Sequence, residues 1–253
     1  MPATLSTADR SFQFGDGLFT TMRVQQGIIQ LWSLHLARLQ QGVTRLGITA
    51  PDWQQLEKQL KDAVTSAEQV LKVIISRGQG GRGYSPAGLT EPGVYISTAP
   101  MPDYQSWQTQ GITMGVAELR LAVQPALAGL KHTSRLEQVL LKQELEMSGF
   151  QELLVLDQQG FITEATVANV FFLSKGKWHT PALNRSGVAG VMRQHILNRF
   201  PDIRQVNWRT AVLPQIDAIA VTNALMGIVA VKQFGNRILQ DEPVLSLRQQ
   251  VLC

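Results

Sequence analysis

Apolar residues recur at helical spacing twice in the first third of the chain. Leu36, Leu39, Val43 and Leu46 follow one another at intervals of three, four and three. That spacing predicts an amphipathic helix, with Ser33 as its N-cap. After Pro51, the residues Trp53, Leu56, Leu60 and Val64 repeat in the same way, with charged and amide residues between them, and predict a second helix. The apolar run LKVIIS (71–76) reads as a buried strand, the glycine-dense stretch 78–83 as a loop, and GVYIST (93–98) as another strand. Periodicity lapses over 99–107 (APMPDYQSW), where two prolines mark a linker. Beyond it, strand patterns lie at 112–116 and 153–156. Between them a helix opens at Ser134-Arg-Leu-Glu137, a capping-box spacing, carries Leu136, Val139 and Leu140, and ends near Gly149. A turn at 157–160, an apolar strand at 170–173, a helix after Gly190 and strands at 218–222 and 228–232 complete the pattern. The mixture predicts an α/β (α+β) protein in two lobes, a small α/β domain over 1–103 and a larger one over 104–253.

Charge changes this picture little. Lys and Arg number 23 against 19 Asp and Glu, a net +4. No block of five to eight basic residues appears, and Arg199, Arg204 and Arg209 are separated by apolar and acidic residues, so a nucleic-acid partner is not expected. No run approaches the ~18 apolar residues that span a bilayer. The opening ten residues, MPATLSTADR, lack the apolar core of a signal peptide. The single cysteine, Cys253, allows no internal disulfide and no thiolate cluster. Together these predict a cytoplasmic protein without membrane association.

Several chemistries fall away on spacing. The histidines at 35, 132, 179 and 195 form no H-x-x-x-H pair, which argues against zinc. There is no G-x-S-x-G and no G-x-x-x-x-G-K-[ST]. The 78–83 segment lacks the P-loop lysine and reads as a mobile loop. Three features could carry chemistry together. Lys131 follows the apolar PALAGL (125–130), where partial desolvation favours a neutral, nucleophilic amine. Glu164 lies in TEATVAN (163–169). The stretch GVAGVMR (187–193) reads as a glycine-flanked helix start, whose backbone N–H groups suit an anion. Taken singly, these could equally be a solvated lysine, a surface carboxylate and a packing glycine.

In combination they are more specific. Glu164, Asn169-Val-Phe171, Thr180 and Val188-Ala-Gly190-Val-Met-Arg193 resemble, in order and spacing, the signature of the class-IV aminotransferase family. His35-Leu-Ala-Arg38-Leu39 is similar to the family's phosphate-arginine helix. Four further stretches extend the resemblance over about residues 6–232: FGDG (14–17) with FTT (19–21), VIISRG (73–78) with GGRGY (80–84), Lys131-His132 with RLEQ (135–138), and NALM (223–226). These stretches resemble one branch of the family in particular. That branch is a set of lyases converting 4-amino-4-deoxychorismate to 4-aminobenzoate and pyruvate, a step of folate biosynthesis. Trp178, Thr133-Ser134 and Gly227 depart from the pattern.

The resemblance implies a two-lobed fold type IV enzyme, D-amino-acid-aminotransferase-like, that uses pyridoxal 5'-phosphate. It implies Lys131, in the larger domain, as the catalytic residue and covalent anchor of the cofactor. Glu164 would serve the pyridine nitrogen, and Arg38, Val191, Met192 and Asn223 the phosphate. Thr21, Arg23, Arg82 and Arg135 become candidates for the substrate and its two carboxylates. A homodimer is implied as well, with aminodeoxychorismate synthase supplying the substrate. Two other readings stay open: a D-amino-acid or branched-chain aminotransferase of the same fold, and a basic binding protein that kept it. The family's transaminases usually carry Tyr five residues after the lysine; here Leu136 stands there.

Overall fold

The computed structural model describes residues 5–252. Residues 1–4, part of the stretch read for a leader, and Cys253 lie outside the described residues. The chain divides into two compact units. Unit 1 runs to Pro102 and takes in Leu130–Arg135; unit 2 is Asp103–Gly129 and the chain from Leu136 onward.

In unit 1 the elements are α1 (Arg10–Phe14), β1 (Gly17–Gln25), β2 (Ile28–Ile29), α2 (Trp32–Leu46), α3 (Trp53–Asp62), β3 (Glu68–Ser76) and β4 (Gly93–Ala99). The sheet is antiparallel throughout, in the order β2-β1-β3-β4. The register from Gly17↔Ser76 to Gln25↔Glu68 puts Leu18, Thr20, Met22 and Val24 on one face with Leu71, Val73 and Ile75. The apolar members of that face form one core with Leu39 and Val43 of α2 and Leu56 and Leu60 of α3. Phe19, Thr21, Arg23, Lys72 and Ile74 occupy the opposite face. The lysine in the otherwise apolar LKVIIS run is therefore a facing effect and not a flaw in the strand.

The caps differ from the sequence pattern in one place. Asp52 caps α3 by accepting from the N–H groups of Gln54 and Gln55. Ser33, expected as the cap of α2, lies inside that helix. The cap is Leu31, in left-handed conformation and without a side-chain hydrogen bond. The helix starts earlier because Trp32 packs against the unit 1 core.

The glycine-rich segment expected to be mobile is gripped by a buried arginine. Arg10 donates from Nη1 to the carbonyls of Gly83 (3.1 Å) and Ser85 (3.4 Å), and from Nη2 to that of Tyr84 (3.0 Å). Its Nε pairs with Asp16 at 2.8 Å, and Arg77 reaches the same carboxylate oxygen at 2.7 Å. Burial pushes the Asp16 carboxyl up, but hydrogen bonds and charge from Arg77 and Arg10 outweigh it and hold the group below its ordinary 3.8. A lowered folded-state value contributes stability that is present above the unfolded value and is lost as pH falls through the folded one. Asp16→Asn is therefore expected to cost about 3 kcal/mol in urea unfolding at pH 7. The gap from wild type should close as the pH is taken well below 3.8. A gap equally large at low pH would show that packing and not charge holds this site.

Unit 2 comprises α4 (Gln105–Gln110), β5 (Ile112–Leu121), α5 (Leu136–Ser148), β6 (Glu152–Asp157), β7 (Ile162–Ala165), β8 (Asn169–Ser174), β9 (Lys177–Pro181), α6 (Val191–Arg199), β10 (Arg204–Val206), β11 (Ala218–Asn223), β12 (Gly227–Phe234), β13 (Arg237–Ile238) and α7 (Glu242–Leu252), with a 3₁₀ turn at Thr210–Gln215. One mixed sheet runs β10-β9-β8-β11-β12-β5-β6-β7, and β13 pairs with β12. All six residues of β6 are buried, as expected of a strand covered on both faces. Leu154 and Leu156 enter one core cluster, while Leu153 and Val155 pack with Leu141 and Leu145 of α5.

The capping box expected at Ser134 is not what starts α5. Glu137 instead accepts the Ala122 N–H through Oε1 at 2.8 Å. The helix turns Leu141 and Leu145 inward and leaves Leu136 (69%), Val139 (52%) and Leu140 (44%) exposed, a different face from the expected one. The two units divide after Pro102, in the proline-bearing stretch. The lysine segment 130–135, expected with the larger domain, groups with unit 1 because it bonds to β1. Among the described residues no helix is long and apolar enough to cross a membrane. No group of three or more His, Cys, Asp or Glu among them could hold a metal ion.

Candidate active site

The segment carrying Lys131 adds a short rung to the edge of β1. The Phe19 N–H donates to the Lys131 carbonyl and the Thr133 N–H to that of Gly17, both at 2.9 Å. This pairing puts Lys131 beside Phe19, and its Nζ stands 4.6 Å from the centre of that ring. Lys72 brings a second ammonium to the same ring at 4.8 Å. Arg135 braces the segment, donating from Nε to the His132 carbonyl (2.8 Å) and from Nη2 to that of Leu130 (2.6 Å). The Thr133 hydroxyl, one of the departures from the family pattern, donates to Gly15 O at 2.7 Å and so helps hold the lysine segment on the strand.

On the helix-covered face of β1, Thr20 Oγ1 accepts a hydrogen bond from Arg38 Nη2 and lies 2.6 Å from His35 Nδ1. Arg38 Nε is buried without a hydrogen-bond partner. Burial and the nearby Arg135 charge push the Arg38 guanidinium down to about 10, so it stays cationic at neutral pH. Burial and the same arginine lower His132 to about 4. A half-buried guanidinium that keeps its charge, has an unused donor and is crowded by another cation is a site short of an anion.

A second candidate cluster is built within unit 2. Glu164, on β7 and 5% exposed, accepts the Val188 N–H through Oε2 at 2.8 Å. Asn169 donates from Nδ2 to Val188 O (2.7 Å) and accepts the Gly190 N–H through Oδ1 (2.9 Å). Gly190 caps α6 and supplies no side-chain acceptor, so the amides of Val191 and Met192 at the helix start suit an anion. A side chain at position 190 is excluded, because its Cβ would stand 2.2 Å from Asn169 Oδ1. Gly190→Ala is thus expected to lower the thermal midpoint by about 4–8 °C, corresponding to roughly 2 kcal/mol in a chain of this size. A thermal scan within 1 °C of wild type, on the order of experimental error, would oppose this account. Asn223 donates from Nδ2 to Val167 O (3.2 Å) and accepts from the N–H groups of Leu225 and Met226 (2.9 Å each). It shapes the turn between β11 and β12.

The substrate candidates are placed unevenly. Thr21 and Arg23 share the face of β1 that carries Phe19. Arg23 Nη2 lies 3.4 Å from Glu68 and its Nε is buried without a partner. Arg82 is exposed in the glycine-rich loop. Arg135 directs two of its donors to backbone carbonyls flanking Lys131. Sequence reasoning missed Thr20, which joins Arg38 to His35, and Lys72. The strand register was the signal that could have found Lys72, since it pairs with Thr21.

Unit 1 thus holds a lysine amine beside an aromatic ring and a guanidinium with an unused donor, and unit 2 holds a buried carboxylate near a helix start without a side-chain cap. The chain belongs to the amino-transferase class IV family, whose model matches residues 17–234. It is 39% identical over 229 residues to the aminodeoxychorismate lyase of Vibrio harveyi, covering 88% of this chain and 84% of that protein. The crystal structure of 4-amino-4-deoxychorismate lyase from Pseudomonas aeruginosa superposes with a TM-score of 0.92 at 35% identity, over 99% of this chain and 95% of that one. A hypothetical aminotransferase from Mycobacterium tuberculosis in a PLP-bound form shares the fold, with a TM-score of 0.86 at 20% identity over 99% and 92%.

Proposed function

We propose that this chain is a pyridoxal-phosphate-dependent lyase that converts 4-amino-4-deoxychorismate to 4-aminobenzoate and pyruvate. The observation that carries this reading is the 39% identity, over most of both chains, to an aminodeoxychorismate lyase. The cofactor fits the residues present. Arg38 offers an unsatisfied buried guanidinium donor, and the start of α6 offers amides that lack a side-chain cap. Lys131, Glu164, Arg38, Val191, Met192 and Asn223 would hold the group; a guanidinium fork and helix-start amides are donors of the kind that suit phosphate oxygens. When bound, pyridoxal phosphate supplies an electron sink for charge developing at the substrate carbon.

The chain's own residues do the rest. The Lys131 amine is the group that can anchor the cofactor covalently and then take the proton from substrate C4. Glu164, held in place by the Val188 N–H, would keep a proton on the ring nitrogen. Loss of the C4 proton and departure of enolpyruvate from C3 leave an aromatic ring, which drives the elimination. Cationic side chains among Arg23, Lys72, Arg82 and Arg135 suit a dicarboxylate, and Thr21 pairs with Lys72 in the strand register. Exposed apolar residues on α5 support a homodimer, and we place the reaction in the cytoplasm, downstream of aminodeoxychorismate synthase.

A coupled assay tests this reading. Chorismate, an ammonia source and aminodeoxychorismate synthase should yield 4-aminobenzoate at a useful rate only when this protein is added. Brisk keto-acid formation from 2-oxoglutarate and amino acids, without pyruvate release, would make it a transaminase. A colourless protein that takes up no pyridoxal phosphate would leave the binding-protein reading.

A further inference from the structure

We propose that His35 is a positioning residue: a neutral imidazole, protonated at Nε2, whose Nδ1 accepts the Thr20 hydroxyl proton and thereby fixes Arg38 for a phosphate group. The inference rests on the cofactor reading above. Its geometry is independent of that reading. Arg38 carries donors only, so in its hydrogen bond to Thr20 the hydroxyl oxygen must accept. Thr20 is fully buried, and its proton needs an acceptor. The other hydrogen-bond neighbour of Oγ1 is His35 Nδ1 at 2.6 Å. If Nδ1 carried the proton, it would donate to Oγ1 as Arg38 does, and the buried hydroxyl hydrogen would have nowhere to go. Only an unprotonated Nδ1 satisfies all three groups.

The surroundings agree. Burial, then the charges of Arg38 and Lys131, push His35 well below the usual histidine range. An imidazolium here would stand beside two other cations. The neutral ring costs no charge and orients the hydroxyl so that a lone pair faces the guanidinium. Arg38 is thereby tethered at one nitrogen, while its Nε has no hydrogen-bond partner within the chain.

The test uses two measurements. Nitrogen-15 NMR of histidine-labelled protein, with and without pyridoxal phosphate, should show a pyridine-type Nδ1 and a pyrrole-type Nε2 for His35 from pH 6 to 8, roughly the range in which free histidine titrates. A pyrrole-type Nδ1, or an imidazolium at pH 7, overturns the proposal. Binding is then compared for pyridoxal phosphate and for pyridoxal, which lacks the phosphate. His35→Leu should weaken pyridoxal phosphate about tenfold, the effect of one lost buried hydrogen bond, and leave pyridoxal within about twofold by the same arithmetic. His35→Asn, whose amide oxygen can replace Nδ1 as acceptor, should recover most of the loss. Equal weakening of both ligands, or no weakening in His35→Leu, overturns it. If His35→Leu does not fold, the NMR assignment and His35→Asn still decide. Wild-type protein that binds pyridoxal phosphate with this pattern, yet forms no 4-aminobenzoate, overturns the lyase reading and leaves this inference standing.

Discussion

Lys131→Ala is expected to lower 4-aminobenzoate formation by about 10⁴-fold or more, because it removes both the covalent anchor and the group that moves the C4 proton. The loss should not come from unfolding. The pairing of this segment with β1 uses the backbone carbonyl of Lys131 and the N–H of Thr133, and both survive the substitution. The variant should therefore keep the wild-type circular dichroism and thermal midpoint. Borohydride treatment should fix the cofactor's mass on the peptide containing Lys131 in wild type and nowhere in the variant. Normal turnover by Lys131→Ala would mean that the reaction proceeds without this amine and that the proposed mechanism is wrong.

Glu164→Gln is the second large effect, about 10²–10³-fold in kcat, the scale seen when one preorganised electrostatic partner is removed. Here structure and chemistry separate cleanly. The Val188 N–H bond to Oε2 can pass to the amide oxygen of Gln, so the local turn survives. The negative charge does not survive, and with it goes the means of keeping a proton on the cofactor's ring nitrogen. The variant should bind the cofactor, show a shifted absorption spectrum and turn over slowly. A fall in stability matching the fall in rate would assign Glu164 a structural role instead.

Much of the fold was legible because apolar periodicity reports burial directly. The helices around Leu39 and Leu56 and the strands at 71–76, 93–98, 153–156, 170–173 and 218–222 all form near the expected places. Errors arose where tertiary contacts override local signals. Ser33 has the chemistry of a cap, but the helix begins at Trp32, which packs against the unit 1 core, and Leu31 takes the cap position. Ser134 and Glu137 have capping-box spacing, yet the Glu137 carboxylate is taken by the Ala122 N–H, a partner 15 residues away. The face of α5 was misjudged because Leu136, Val139, Leu140, Leu141 and Leu145 nearly encircle the helix. Periodicity cannot choose among them; packing against β5 and β6 does.

The sequence by itself determined the order of the elements, the family signature, the charged residues Lys131, Glu164 and Arg38, and the glycine at 190. Such features are local, since each depends on residue type and on spacing within one or two turns. Which groups meet was decided by the tertiary structure. Thr20, His35 and Arg38 converge because β1 and α2 share one core, 15 to 18 residues apart in the chain. Lys72 and Lys131 share the Phe19 ring because strand register, and not sequence distance, sets the neighbours on a sheet face. The glycine-rich loop is held by Arg10, some 75 residues away, because a buried guanidinium must place its donors, and backbone carbonyls at 83–85 were the acceptors within reach.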